Sequence, residues 1–236
     1  ILTADTHYIS STGIGGNPSD PKALVQLGAY ALTGFQPEQQ RYLYAPTHLN
    51  RTSDYGVTFE RGTLMQYGDR DHAYISGTAS INNQGEVVHV GDIRKQTLRM
   101  WENVEKLLEE AGMTMEHCAQ IIVYLRDTAD YALVRDMFKE RFPEIPTVIT
   151  LAPVCRPTWL IEMECVAFAS SSYLESRANT RGKRIFSTSS LILATISSSA
   201  AACDLEPEAN TNSSCCVDIT IVSIFLGLLS SPYSIV

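Results

Sequence analysis

The apolar and polar positions of this chain change period along its length, and each change marks a predicted element boundary. Between residues 154 and 169, in VCRPTWLIEMECVAFA, the period is two. Trp159, Ile161, Met163, Cys165 and Ala167 then share one face of a strand, while Leu160, Glu162, Glu164 and Val166 share the other. The first is a core face. The second carries two like charges two residues apart, and a buried carboxylate must be paired or solvated. That face therefore meets water at a sheet surface or lines a polar pocket.

Upstream, GTLMQYG (62–68), HAYISGTASI (72–81) and GEVVHVG (85–91) read as three strands, with NNQG as the turn between the second and third. The period then switches to 3.6 in DIRKQTLRMWENVEKLLEEAG. Ile93, Met100, Trp101, Val104, Leu107, Leu108 and Ala111 form one stripe, with Asp92 as N-cap and Gly112 as stop. CAQIIVYLRD (118–127) reads as a strand and DYALVRDMFKERFP (130–143) as a second helix, capped by Asp130 and closed by Pro143. TVITLAPV and WLIEMECVAFA complete the series as strands. The order is βββαβαββ. Each helix has one apolar stripe, which predicts an α+β fold: a mostly antiparallel sheet with both helices on one face. The opposite sheet face then needs a cover, either a partner subunit or the segment 1–58.

Three regions follow from these patterns. Residues 1–58 are rich in turn formers around one short helical pattern, DPKALVQLGAYAL, and read as an extension or the remnant of a preceding half. Gly13, Gly15 and Gly16 spell no phosphate-binding loop and read as loop geometry. Residues 59–169 form the regular domain. Residues 170–236 are dominated by serine and predict a poorly ordered tail without chemistry, whose apolar run ITIVSIFLGLL is too short to span a bilayer.

Charge and composition narrow the function classes. A net charge of −8 and a pI near 5.1 argue against a general nucleic-acid binder, which needs a basic face for phosphates. The cysteines at 118, 155, 165, 203, 215 and 216 have no metal-ligand spacing. His72 and His89 lie in neighbouring predicted strands without a third ligand, so hydrogen-bonded structural roles are expected for both. No metal, cofactor or membrane partner is implied, and with no secretory signal the expected compartment is a reducing cytoplasm.

The element order, together with ISGTASINNQGEVVHVGDIRKQT, NVEKLLEEAG, IVYLRD and LIEMECVAFA, resembles the Rid family, the YjgF-like proteins also called endoribonuclease L-PSP. The resemblance covers about residues 60–169. It implies a chorismate-mutase-like fold, a homotrimer with a pocket between subunits, and a small carboxylated ligand. It further implies Glu-assisted water chemistry of the enamine/imine deaminase type. By that resemblance Glu162 is the residue that positions water, and the backbone of Ser76, Gly77 and Thr78 lines the pocket. Glu164 is expected to be a sheet-face or interface charge.

One departure bears on the chemistry. The family's deaminases carry a carboxylate-clamping arginine where this chain has Val148, and valine makes no bidentate bond to a carboxylate. Arg156, in PVCRP, either supplies that charge from another direction or is an exposed loop residue. SGTASI followed by HVGD is also similar to the chorismatases, in which a divergent Rid-like half precedes the motif-bearing domain. That alternative implies an intramolecular pseudo-oligomer and a chorismatase-like hydrolase. A non-catalytic ligand-binding module is the third reading, and a ribonuclease is disfavoured by the acidic balance.

Overall fold

The computed structural model describes residues 7–16, 22–23 and 25–170, and the backbone of two strands at 191–197 and 220–228. Along these residues run β1 (Ser10–Gly15), β2 (Val25–Leu32), β3 (Gln40–Leu43), β4 (Gly62–Gln66) and β5 (Arg70–Ala79). Then come α1 (Ile93–Glu110), β6 (Cys118–Leu125), α2 (Tyr131–Arg141), β7 (Thr147–Leu151) and β8 (Ile161–Ser170). β9 (Leu191–Ser197) and β10 (Thr220–Leu228) lie in the serine-rich region, whose other residues from 171 onward fall outside the described set.

The main sheet has the order β3-β4-β5-β8-β6-β7, antiparallel throughout except for β6 and β7. Both helices pack on one face of it. Val104, Leu107 and Leu108 of α1 and Val134 and Phe138 of α2 share one core with Ile121, Val123, Ile161 and Met163 of the sheet. Trp101 joins the helices, its ring edge-on to Phe138 and Phe142 at 5.0 and 5.1 Å between centroids. The fold is thus the α+β arrangement that the alternation predicts. The second sheet has the order β1-β10-β2-β9.

Several elements differ from expectation. The order βββαβαββ is present, but its first strand is β3, from a stretch read as turns, and GEVVHVG is not a strand. That segment makes one isolated bridge, Ile81 to Val87. Asn82 folds it back: its Oδ1 accepts the N–H groups of Gln84 and Glu86, each at 3.0 Å. Beyond the bridge, His89 and Gly91 take positive φ of 60° and 77°, outside the range of regular strand backbone. The helical pattern DPKALVQLGAYAL contains the strand β2, paired on both sides with β9 and β10. A short helix carrying Gly28 is marginal alone, so two flanking ladders outweigh its propensity. Asp92 caps α1 as expected, accepting the Lys95 N–H at 3.0 Å. Asp130 makes no such bond; Asp127 accepts the Ala129 N–H at 2.8 Å and caps the single turn that leads into α2.

The sheet face away from the helices bears directly on function. β1 of the same chain lies against part of it, bridging Ser10 to Glu60 in parallel. The Glu60 N–H donates to Ile9 O at 2.9 Å, Ser10 Oγ meets Thr63 Oγ1 at 2.6 Å, and the Gly15 N–H donates to Pro153 O at 2.9 Å. Val148, at the sheet edge, remains 61% exposed.

Candidate active site

β8 delivers both carboxylates to the covered part of that face. Because the strand alternates, Ile161, Met163 and Cys165 enter the helix-side core while Glu162 and Glu164 point the other way. Glu162 is only 4% exposed and Glu164 only 5%. Glu164 thus lies on that sheet face but under β1, so it is buried there and not open to water. Glu162 Oε2 and Glu164 Oε1 are both buried without a hydrogen-bond partner.

β5 faces this pair with a bulge. Ile75 is in register with Cys165 and Thr78 with Met163, so Ser76 and Gly77 together oppose Glu164. The bulge turns the Gly77 N–H out of the ladder and toward β1, where Thr12 Oγ1 accepts it at 2.9 Å. Glycine is required there for space: a Cβ at residue 77 would collide with Glu162 Oε1 and come within 2.8 Å of Thr12 Cγ2. Ser76 Oγ donates to Glu60 O at 2.5 Å and accepts the Ser11 N–H at 3.0 Å. Thr78 Oγ1 donates to Ser76 O at 2.9 Å. Of the residues predicted from sequence, Gly77 therefore meets Glu162, whereas the hydroxyls of Ser76 and Thr78 hold the bulge.

β6 adds Tyr124, in register with Glu162; burial and the nearby Glu164 hold the Tyr124 hydroxyl above its ordinary range. Arg61, just before β4, is buried and holds the backbone oxygen and Oδ1 of Asn50, the latter at 3.0 Å. Its charge also acts on Glu162. Arg156 donates to Gly85 O at 2.8 Å and lies over the Trp159 ring at 5.0 Å, so its guanidinium is anchored on the loop before β8. The neighbouring Cys155 donates to Gly13 O at 3.1 Å, and burial and the Glu162 charge push its thiol up to about 11.

The electrostatics follow from burial. Glu162 is pushed up to about 8, first by desolvation and then by Glu164, with Arg61 opposing. Glu164 is pushed up to about 7 by desolvation, with the hydroxyls of Thr12 and Tyr124 opposing. Such a pair can hold a proton near neutral pH and exchange it, which is what general acid–base chemistry needs. A cavity of about 10 Å³, close to the space of one water, borders Glu164 between Tyr74, Gln120 and Ile122. A larger groove of about 650 Å³ opens on the helix side between Glu105, Arg141 and Phe142 and includes none of these residues. Among the described residues no three His, Cys, Asp or Glu side chains cluster as metal ligands.

Comparison with known proteins places residues 65–169 in a family. The family model described as Endoribonuclease L-PSP matches residues 65–169, which span β8 and the bulge. A RutC family protein of Pyrococcus abyssi is 36% identical over 98 residues, 40% of this chain and 76% of that protein. The chain belongs to the Rid family. A second Rid relative, the 3-aminoacrylate deaminase RutC of Acinetobacter baylyi, is 33% identical over 96 residues, 40% of this chain and 76% of its own length. Among solved structures, a chorismatase aligns with a TM-score of 0.46 and 21% identity, over 54% of this chain and 43% of that one. Arg61 lies just outside the matched region.

Sequence reasoning missed Arg61, Thr12 and Tyr124. Tyr124 alone left a trace, since period-two counting puts Gln120, Ile122 and Tyr124 on one face. Its alignment with Glu162 needs the β6–β8 register.

Proposed function

We propose that this Rid protein performs water chemistry on a small carboxylated metabolite, an enamine or imine derived from an amino acid, with Glu162 as the acid and base. The observation that supports this most is Glu162 itself, 4% exposed, raised to about 8 and with Oε2 lacking a partner. Protonated Glu162 gives its proton to the substrate as the imine forms. As a carboxylate it then takes a proton from the water that adds to the C=N carbon. Cleavage of the C–N bond releases ammonia and leaves a keto acid. In the absence of an arginine at residue 148, Arg156 is proposed to hold the substrate carboxylate, with Ser76, Gly77 and Thr78 shaping the pocket. A homotrimer in the cytoplasm belongs to this reading.

The chorismatase-like alternative has one observation in its favour: β1 covers the carboxylates from within the same chain, through Thr12 on Gly77. The binding-module alternative draws on exposed Val148. One panel separates the three: imines generated from serine or threonine, and chorismate, each given to wild type and Glu162→Gln. Turnover of the imines that falls about 10²–10⁴-fold in the variant supports the proposal. Turnover of chorismate alone supports the second reading. Thermal stabilisation by ligands without turnover supports the third.

A further inference from the structure

The loop that leads into β8 is held from one side by a single guanidinium. That loop, APVCRPTWL at 152–160, contains Pro153 and Pro157, which have no N–H to give. Its carbonyl oxygens therefore outnumber its own donors, and an unpaired carbonyl is costly where the chain is buried, as at Val154 and Trp159. Arg126, the residue after β6, supplies the missing donors. Its Nε donates to Trp159 O at 2.6 Å, and its Nη2 donates to Val154 O and to Arg156 O, both at 2.6 Å. The Arg126 N–H itself donates to Leu160 O at 3.0 Å. Three loop carbonyls thus converge on one planar fork, which keeps its charge at any working pH.

Arg156 sits in the middle of this loop. Its side chain donates to Gly85 O at 2.8 Å and lies over the Trp159 ring at 5.0 Å. Its backbone oxygen is shared between Arg126 and the Trp159 N–H, the latter at 3.0 Å. The preceding residues touch the strand that covers the carboxylates: the Gly15 N–H donates to Pro153 O at 2.9 Å, and Cys155 Sγ donates to Gly13 O at 3.1 Å. The main chain around Arg156 is therefore fixed by β1 on one side and by Arg126 on the other.

We propose that Arg126 is a positioning residue: by gathering Val154 O, Arg156 O and Trp159 O it sets where Arg156 stands, and thereby the affinity for a substrate carboxylate. The inference rests on the reading of Arg156 as the group that holds that carboxylate. Its physical content, a loop kept in one shape by a cation, exists without substrate. A lysine at 126 keeps the charge but presents a single nitrogen, and so loses the fork that reaches Trp159 O with one arm and Val154 O and Arg156 O with the other.

The test is a double-mutant cycle on the full chain, with pyruvate, the keto acid that deamination of the serine-derived imine leaves, as the titrated probe. Arg156→Gln and Arg126→Gln should each weaken pyruvate binding about 10–100-fold, the cost of a hydrogen bond to a charged group. The double variant should lose little more than either single one, because both act through the same guanidinium. In imine hydrolysis, Arg126→Gln should raise KM and leave kcat nearly unchanged, whereas a general loosening of the domain would lower both kcat and stability. Arg126→Lys should fold as wild type and recover only part of the affinity. Hydrogen exchange at the Trp159 N–H should quicken in both Arg126 variants, with β8 from Ile161 onward unchanged. Additive losses in the cycle, or undiminished binding in Arg126→Gln, overturn the proposal. Should Arg126→Gln not fold, Arg126→Lys takes its place in the cycle, and additive losses or full affinity there overturn it equally. A wild type that neither binds pyruvate nor hydrolyses imines refutes the reading of Arg156, and exchange at Trp159 then judges Arg126: quickened exchange upholds its hold on the loop, unchanged exchange overturns it.

Discussion

Thr12 and Gly77 are 65 residues apart in sequence, yet the Gly77 N–H donates to Thr12 Oγ1 at 2.9 Å. That contact joins the N-terminal strand to the bulge of β5 directly over the two carboxylates. It explains how Glu162 and Glu164 are withdrawn from water on a sheet face that carries no helix.

The tightness of this junction predicts the effect of Gly77→Ala. The added methyl meets Glu162 Oε1 and lies 2.8 Å from Thr12 Cγ2, so β1 or Glu162 must move. Overpacking of this kind costs about 1–3 kcal/mol. Urea unfolding should show a lower midpoint with an unchanged slope, and the loss should shrink in Gly77→Ala combined with Thr12→Ser.

The raised carboxyl groups predict a sign for the dependence of stability on pH. Each has a folded-state pKa above the unfolded value of 4.5, at about 8 for Glu162 and about 7 for Glu164. The folded state therefore binds more protons than the unfolded chain, and the stability this contributes is full below 4.5 and lost as pH rises through 7 and 8. His72 acts oppositely: burial and Arg70 push it down to about 4 from 6.5, so its contribution is present above 6.5 and lost as pH falls through 4. Between 6.5 and 8 the carboxyl groups dominate. Thermal midpoints should fall across that interval in wild type and stay flatter in Glu162→Gln.

Gln96 on α1 ties the start of β8 to the rest of the domain. Its Nε2 donates to Thr158 O at 2.9 Å and to His89 O at 3.2 Å, and its Oε1 accepts the Leu160 N–H at 2.9 Å. Gln96 is itself fully buried, and Gln96→Ala removes the side-chain partners of Thr158 O and the Leu160 N–H, at roughly 1–3 kcal/mol for each one left unsatisfied. His89 O keeps the Asp92 N–H at 3.1 Å. Calorimetry should show a lower midpoint, and hydrogen exchange should show faster opening at Leu160 than in β5.

The helix-side core should respond as a single unit. Leu107 is fully buried among both helices and the sheet. Leu107→Ala should cost about 2–5 kcal/mol, with an equal loss whether followed by tryptophan fluorescence or by circular dichroism.

The sequence by itself determined the two faces of β8, the stripe of α1 and the α+β class. Side-chain direction within a strand or helix depends only on the local period, so Ile161, Met163 and Cys165 had to part from Glu162 and Glu164. What covers the second face was decided by tertiary structure alone. Its contacts, Thr12 to Gly77, Ser10 to Thr63 and Ser11 to Ser76, span 53–65 residues and leave no periodic trace. The same holds for β2, where ladders with β9 and β10 replace the helix its local pattern suggests, and for GEVVHVG, where backbone turned to positive φ cancels an alternating pattern. Burial of Glu164 and the approach of Arg61 and Tyr124 came from register. Register is set by which strands meet, and the energy that selects it lies in contacts between residues far apart in the chain.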